Sequence, residues 1–352
     1  MLMILIILNG CSQTNIEEKT KINNNSSKTE NEVVSLNKIN NFYIGDNENL
    51  SLIHEYIPEN TNKIPVIMIP GLGLGANIYE STPDGRNGWA YYFLKNGYQV
   101  YTVDTSDLVS AGISETEKEL SFSKWDSKSI WTRWGLGSGT NQAYENGKFP
   151  IESFEQFYSS IPMQIKEARS NQVNKKTSKS DNLISKGNRT KGENPSRASN
   201  DGKGENGRSR ANLQEVNNIV SLLNKIGPAI LLVHSMGGEI EYEVTRQSPD
   251  LVKGIVAIEP VGSPTEKQEI KDIFSDVYYL GIYGDYLESR NQINRYKAVE
   301  QTTKLINEND GTAKVIRLTE QGIKGNSHLM MIDKNNEKIS DIIIEWLNNT
   351  LI

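Results

Sequence analysis

The sequence predicts an α/β fold, a mostly parallel sheet covered by helices on both faces. Three observations carry this. Short apolar runs alternate with stretches of helical periodicity through most of the chain, as they do where crossover helices link parallel strands. The run Leu231-Leu232-Val233-His234-Ser235-Met236-Gly237-Gly238 reads as a strand passing through a tight turn into a helix. The length of 352 residues accommodates one large α/β domain with insertions, or two average domains.

The elements follow in order. Met1 to Leu8 is an uninterrupted run of Met, Leu and Ile that ends at Leu8-Asn9-Gly10-Cys11. It is far short of the roughly 18 apolar residues that a membrane span needs. It resembles a bacterial lipoprotein signal, in which a hydrophobic stretch precedes a Leu-x-Gly-Cys box and the processed chain starts at a lipidated cysteine. That resemblance implies a signal over residues 1–11, lipidation at Cys11, and an enzyme held at the membrane of the bacterial cell envelope. Residues 12–41, rich in Asn, Lys, Glu and Ser, carry too little apolar surface to order themselves and are expected to form a disordered tether. The folded domain is then expected over 42–352.

Within it, strands are expected at Leu50 to Ile57, Val66 to Ile69, Gln99 to Val103, Ala229 to Val233, Gly254 to Ile258, Val277 to Tyr283 and Ala313 to Leu318. Most are short, wholly apolar runs, the pattern of strands buried on both faces. Helical periodicity runs through Trp89 to Asn96, Glu239 to Gln247, Tyr296 to Asn307 and Lys338 to Leu347. Right-handed crossovers between such units bring the carboxyl ends of the parallel strands, and any site built on them, to one edge of the sheet.

Two segments break the rhythm. Residues from about 105 to 168 hold Trp125, Trp131, Trp134, Phe149, Phe154, Phe157 and Tyr158 and are expected to cap that edge. Residues from about 169 to 212 have eleven Lys or Arg, four Asp or Glu and almost no aliphatic side chains, so they read as a disordered surface insertion.

Composition excludes several classes. Apolar residues are 36% of the chain, or about 44% with its 28 glycines, just below the roughly 45–50% of soluble globular proteins. One cysteine excludes an intrachain disulfide framework and a CxxC metal site, and three histidines argue against a His-rich metal centre. A formal charge of -6 gives no footprint for nucleic acid. No metal, cofactor or nucleic-acid partner is expected.

The sharpest chemical signal is Ser235. A serine hydroxyl is a weak nucleophile unless a base removes its proton, and it must project from a turn where that base and backbone donors converge. A strand-turn-helix elbow supplies this when small residues flank the serine. Gly237 and Gly238 do so on one side, whereas Val233 stands where the G-x-S-x-G pattern has glycine. The base is expected at His328, in a Gly-bearing loop between the last strand and the last helix. His54 lies in an early strand and reads as structural. His234 adjoins the serine but faces another way, and is expected to pack or hydrogen-bond beneath the elbow. A carboxylate must orient the imidazole. Both Glu259 and Asp285 end strands, and pattern alone favours Asp285.

The chain from about Phe42 to Leu351 resembles the α/β-hydrolase superfamily, and within it a bacterial esterase branch whose triad runs Ser, Glu, His with the acid after strand six. Three stretches carry the likeness: Ser81-Thr82-Pro83-Asp84-Gly85-Arg86-Asn87-Gly88-Trp89 with Tyr92-Phe93-Leu94; Ile258-Glu259-Pro260, its acid 24 residues after Ser235; and Gly325-Asn326-Ser327-His328-Leu329-Met330-Met331. The resemblance implies Glu259 as the acid, with Asp285 the alternative, and a small helical cap near 132–163. It implies a serine hydrolase that cleaves a small-molecule carboxylic ester through an acyl-enzyme. The branch more often has His-Ser-Gln-Ser-Gly at the elbow, and its typifying esterase has a cysteine pair where this chain has Leu72-Gly73. An oxyanion hole needs backbone N–H groups rather than side chains, and it is expected at Leu72 and Met236.

Two other classes compete. Gly71-Leu72-Gly73-Leu74-Gly75-Ala76 matches G-x-G-x-x-A, the dinucleotide fingerprint of an oxidoreductase. Asp104, however, lies 31 residues beyond Gly73 rather than about 20, and Ser81-Thr82-Pro83 interrupts the helix that the fingerprint requires. A catalytically silent lipoprotein using the fold for binding is the other, and a fluorophosphonate probe separates it from an enzyme.

Overall fold

Runs such as Val66–Ile69 and Ala229–His234 have no polar face to present to water, so they are stable only inside a sheet that is covered on both sides. The computed structural model describes residues 33–46, 49–112, 120–167 and 210–351, and places them so. Eight strands form the central sheet: β1 (Leu36–Asp46), β2 (Asn49–Pro58), β3 (Val66–Ile69), β4 (Val100–Asp104), β5 (Ala229–His234), β6 (Val252–Ile258), β7 (Tyr278–Tyr283) and β8 (Ala313–Arg317). Their spatial order is β1-β2-β4-β3-β5-β6-β7-β8. β1, β2 and β4 pair antiparallel, and every pairing from β4 through β8 is parallel. This is the α/β-hydrolase fold.

Alternation along each strand divides the core into two layers. Val66, Met68, Leu232 and Ile258 face helices α1 (Trp89–Lys95) and α5 (Asn336–Thr350), whose Phe93, Ile343 and Leu347 are fully buried. Ile67, Ile69, Leu231 and Ala257 face α2 (Arg210–Ile226), α3 (Gly237–Gln247) and α4 (Ile293–Glu308) through Ile219, Val244 and Val299. The sheet thereby presents the ends of β3, β5, β6 and β7 along one edge.

Residues 105–112 and 120–167 cover that edge, but not as helix alone. Two short helices, Ser127–Arg133 and Phe154–Ser160, accompany two small antiparallel ribbons, one of which pairs Leu120–Ser123 with Gln164–Glu167. Trp131, Trp134, Phe149 and Phe157 are buried and continuous with the α1 and α5 layer, so the cap is anchored by aromatic packing.

Two boundaries and one helix differ from the sequence reading. β1 begins at Leu36, so residues 36–41 belong to an edge strand rather than to a tether. The basic segment ends by Arg210, where α2 begins. That helix carries Val216, Ile219, Leu222 and Leu223 at three- and four-residue spacing and was not anticipated. Cys11, the residues around it and 168–209 lie outside the described residues. No helix among the described residues is long and apolar enough to cross a membrane.

Candidate active site

Ser235 sits where β5 turns into α3, with φ 51°. A left-handed backbone at a non-glycine residue costs on the order of 1–2 kcal/mol, and three hydrogen bonds hold it here. The Ser235 N–H donates to the Ile258 carbonyl at 3.0 Å, and the Ser235 carbonyl accepts from Val261 at 2.7 Å and Gly238 at 3.0 Å. The glycines are there because neighbouring chains approach closely. A Cβ on Gly238 would stand 2.6 Å from Pro260 Cβ, and one on Gly71 would stand 3.0 Å from Ser235 Cβ. Val233, which departs from the usual glycine, is fully buried within the β5 layer.

His328 is carried by the loop between β8 and α5. Asp333 fixes that loop: its buried carboxylate accepts from the Ser327 N–H and Oγ, each at 2.8 Å, and from Asn326 Nδ2 at 2.9 Å. The His328 N–H donates to the Trp134 carbonyl at 2.8 Å, which ties the loop to the cap. The imidazole Nδ1 lies 2.6 Å from Glu259 Oε2. Glu259, at the end of β6 with φ 42°, also accepts from the Gly284 N–H at 3.0 Å and from Arg290 Nη2 at 2.7 Å, and all three side chains are buried.

Charge follows from this packing. Burial pushes the Glu259 carboxyl up, but the Arg290 charge and the bond from His328 outweigh it and hold the group well below the usual carboxylate range. His328 is lowered to about 4, first by burial and then by the Arg290 charge, with Glu259 acting in the other direction. The imidazole is therefore neutral at pH 7, and a proton on Nδ1 facing Glu259 leaves Nε2 as the accepting atom.

Asp285 is not part of this arrangement. Its carboxylate accepts from the Tyr286 N–H at 2.8 Å and the Gly325 N–H at 3.1 Å, so it shapes the loops around β7. His234 lies beneath the elbow, with Nε2 3.0 Å from the His328 carbonyl and its ring 4.3 Å from the His328 ring. His54 belongs to β2, where its Nδ1 is 3.2 Å from Glu80 Oε1.

Ser235, Met236, Leu72 and His328 line one cleft of about 470 Å³, part of it open to solvent. No acceptor is found among the described residues for the Leu72 or Met236 N–H, which leaves two backbone donors beside the serine. Trp125 Nε1 donates to the Leu72 carbonyl at 2.8 Å and so fixes that loop from the cap. The far end of the same glycine-rich turn is tied by the chain itself: Asp104 Oδ1 accepts from the Ala76 N–H at 2.7 Å. No group of three or more metal-ligating side chains gathers among the described residues. Arg290 is the one member of the buried cluster that sequence reasoning missed, because an arginine in a loop carries no local signal.

No protein-family model matches the chain. Over 371 aligned residues it is 26% identical to a probable secreted lipase, PhiG, of a fungal species (strain ATCC 74256), covering 87% of this chain and 88% of that protein. A solved structure described as a novel bacterial esterase superposes with a TM-score of 0.71 at 21% identity, covering 91% of this chain and 98% of that one. At that identity the likeness establishes a shared fold.

Proposed function

We propose that this protein is a serine esterase that hydrolyses carboxylic esters through an acyl-enzyme, with Ser235 as nucleophile, His328 as base and Glu259 as the orienting acid. The observation that carries the reading is the 2.6 Å contact of an ionised, buried Glu259 with Nδ1 of His328, an imidazole that lines the same cleft as a serine held at positive φ. The likeness to a probable secreted lipase and the fold shared with a bacterial esterase support it.

Ser235 Oγ attacks the ester carbonyl as His328 Nε2 takes its proton. Glu259 stabilises the imidazolium without accepting that proton, since a carboxylate so far below its usual range stays ionised. The N–H groups of Leu72 and Met236 donate to the oxyanion. His328 then protonates the leaving alcohol, water adds to the acyl carbon with His328 again as base, and the acid departs.

The same reading makes the enzyme an exported one, held at the cell envelope through a lipid on Cys11. Its support is the Leu8-Asn9-Gly10-Cys11 sequence and a relative that is itself described as secreted.

A panel of p-nitrophenyl esters of increasing acyl length, assayed beside Ser235→Ala, tests the activity. Turnover that falls on the order of 10³-fold or more in the variant, with folding intact, is expected. Absence of ester hydrolysis, or near-normal turnover in Ser235→Ala, overturns the reading.

A further inference from the structure

The cleft at Ser235 is charged with one sign only. Arg133, Arg290 and Arg295 line it, and no Asp or Glu does. They come from three separate segments: the last turn of the first cap helix, the loop after β7, and the first turn of α4. Glu259, which is not part of the cleft wall, balances one of these charges through Arg290. Arg133 lies over the Trp125 ring, its guanidinium carbon 5.0 Å from the ring centre.

Arg295 has no such balance. No carboxylate among the described residues forms an ion pair with it, whereas Arg317 on the neighbouring strand has Glu288 at 2.8 Å. Burial lowers its pKa; Tyr283 opposes this, and the charges of Arg290 and Arg133, which line the same cleft, act with burial. Three further polar atoms at this wall are buried without partners among the described residues, His234 Nδ1, Arg290 Nη1 and Gln292 Oε1. Clustered cations withdrawn from water are costly unless an anion completes them. The rest of the wall is apolar, with Leu72, Leu74, Trp125, Trp134, Met236 and Val261, so the cleft offers an aliphatic or aromatic lining beside a cationic one.

We propose that this cleft selects an ester bearing a carboxylate, which Arg295, aided by Arg290 and Arg133, holds while the ester carbonyl lies at Ser235. The inference rests on the serine-esterase reading and adds the substrate class. A carboxylate suits the site because its two oxygens match the paired N–H groups of a guanidinium edge. It takes no part in the chemistry: the ester C–O bond breaks, water supplies hydroxyl to the acyl carbon and a proton to the alcohol, and the anion only positions the chain.

The test uses two matched pairs of esters. Mono-p-nitrophenyl glutarate against p-nitrophenyl valerate places the charge on the acyl half, and 4-butyryloxybenzoate against its methyl ester places it on the alcohol half. Wild type is expected to favour the charged member of one pair in kcat/KM, and Arg295→Gln to cut that ratio by about tenfold or more, as loss of a charge-assisted hydrogen bond implies. Arg295→Lys is expected to keep most of it. The pair that responds identifies which half carries the anion. A ratio at or below one in both pairs, or a preference that Arg295→Gln leaves untouched, overturns the proposal.

Calorimetric binding of glutarate is the second readout and needs no turnover. Saturable binding to Ser235→Ala that is lost when Arg295→Gln is added supports the anion site even if no ester is hydrolysed, in which case only the esterase reading fails. No glutarate binding at millimolar concentration in a protein that hydrolyses neutral esters overturns the anion site and leaves the esterase reading standing.

Discussion

His328 and Arg290 meet on a single oxygen: Nδ1 of one stands 2.6 Å, and Nη2 of the other 2.7 Å, from Glu259 Oε2. The arginine keeps the carboxylate ionised, and it also sets a positive charge beside the imidazole that, in the proposed mechanism, becomes positive during turnover. Both effects fall on the same proton, and the first expected outcome follows from them.

In the proposed mechanism the group that must be neutral before reaction is His328, lowered to about 4 by burial and then by Arg290. Its kcat/KM is therefore expected to hold as pH falls from 7 to 5, below the ordinary histidine range, and to decline only as pH approaches 4. Removing the positive charge in Arg290→Met favours the imidazolium and raises the pKa, so the acid limb moves to higher pH, while Arg290→Lys leaves it nearer wild type. A pH-rate profile of the three proteins reads this. An acid limb that stays in place in Arg290→Met would refute the coupling.

Glu259 and Asp285 separate by what they hold. Glu259→Gln removes the acceptor that selects the His328 tautomer, and a loss of kcat approaching about 10⁴-fold is expected. Asp285→Asn disturbs only the bonds from the Tyr286 and Gly325 N–H groups and costs much less. Steady-state kinetics with thermal melts alongside distinguish lost chemistry from the burial of an unbalanced Arg290. A reversed ranking means the acid is Asp285.

The elbow should tolerate no larger residue at 238. Gly238→Ala brings a methyl to 2.6 Å from Pro260 Cβ and 2.7 Å from the Val261 carbonyl oxygen, an overpacking expected to cost about 1–3 kcal/mol. In Gly254→Ala, on β6, the added methyl meets nothing closer than 3.5 Å, and little change is expected. Denaturant unfolding of both variants checks the contrast, and equal stability would show that the elbow relaxes freely.

Asp333 is expected to act on the reaction through the loop it ties down. Asp333→Ala leaves the Ser327 N–H, the Ser327 hydroxyl and Asn326 Nδ2 without their buried acceptor, at a cost of about 1–3 kcal/mol for each unsatisfied group. Displacement of His328 should then lower kcat more than it raises KM. A variant that melts like wild type and turns over normally would mean that the loop is held by other contacts.

How far all this was legible in the sequence depended on burial. β3, β5 and β6 were readable because parallel strands covered on both faces are continuous apolar runs, and their observed ends lie within two residues of those expected. β1 was not. It is an edge strand whose polar residues face water, with Ile39 and Tyr43 exposed, so it reads as tether. α2 was hidden by the basic segment it follows, although the spacing of Val216, Ile219, Leu222 and Leu223 carried the signal. Ser235 and His328 were singled out from their neighbours in the chain, and the structure places both at one cleft. Both Glu259 and Asp285 follow apolar strands, and pattern alone favoured Asp285 where the family resemblance implied Glu259; the packing of β6 against the His328 loop is what brings Glu259 to the imidazole. Arg290 reaches Glu259 across 31 residues of chain, a contact that no local pattern encodes.

The most direct test of the account is mass-spectrometric mapping of the site that a fluorophosphonate modifies in the wild-type protein. Because the probe reacts with a serine only when a base has activated it, a single adduct on the peptide carrying Ser235, abolished in Ser235→Ala and greatly slowed in Glu259→Gln, is the expected result. An unmodified Ser235, or an adduct on a different serine in a protein that hydrolyses esters, would contradict the account.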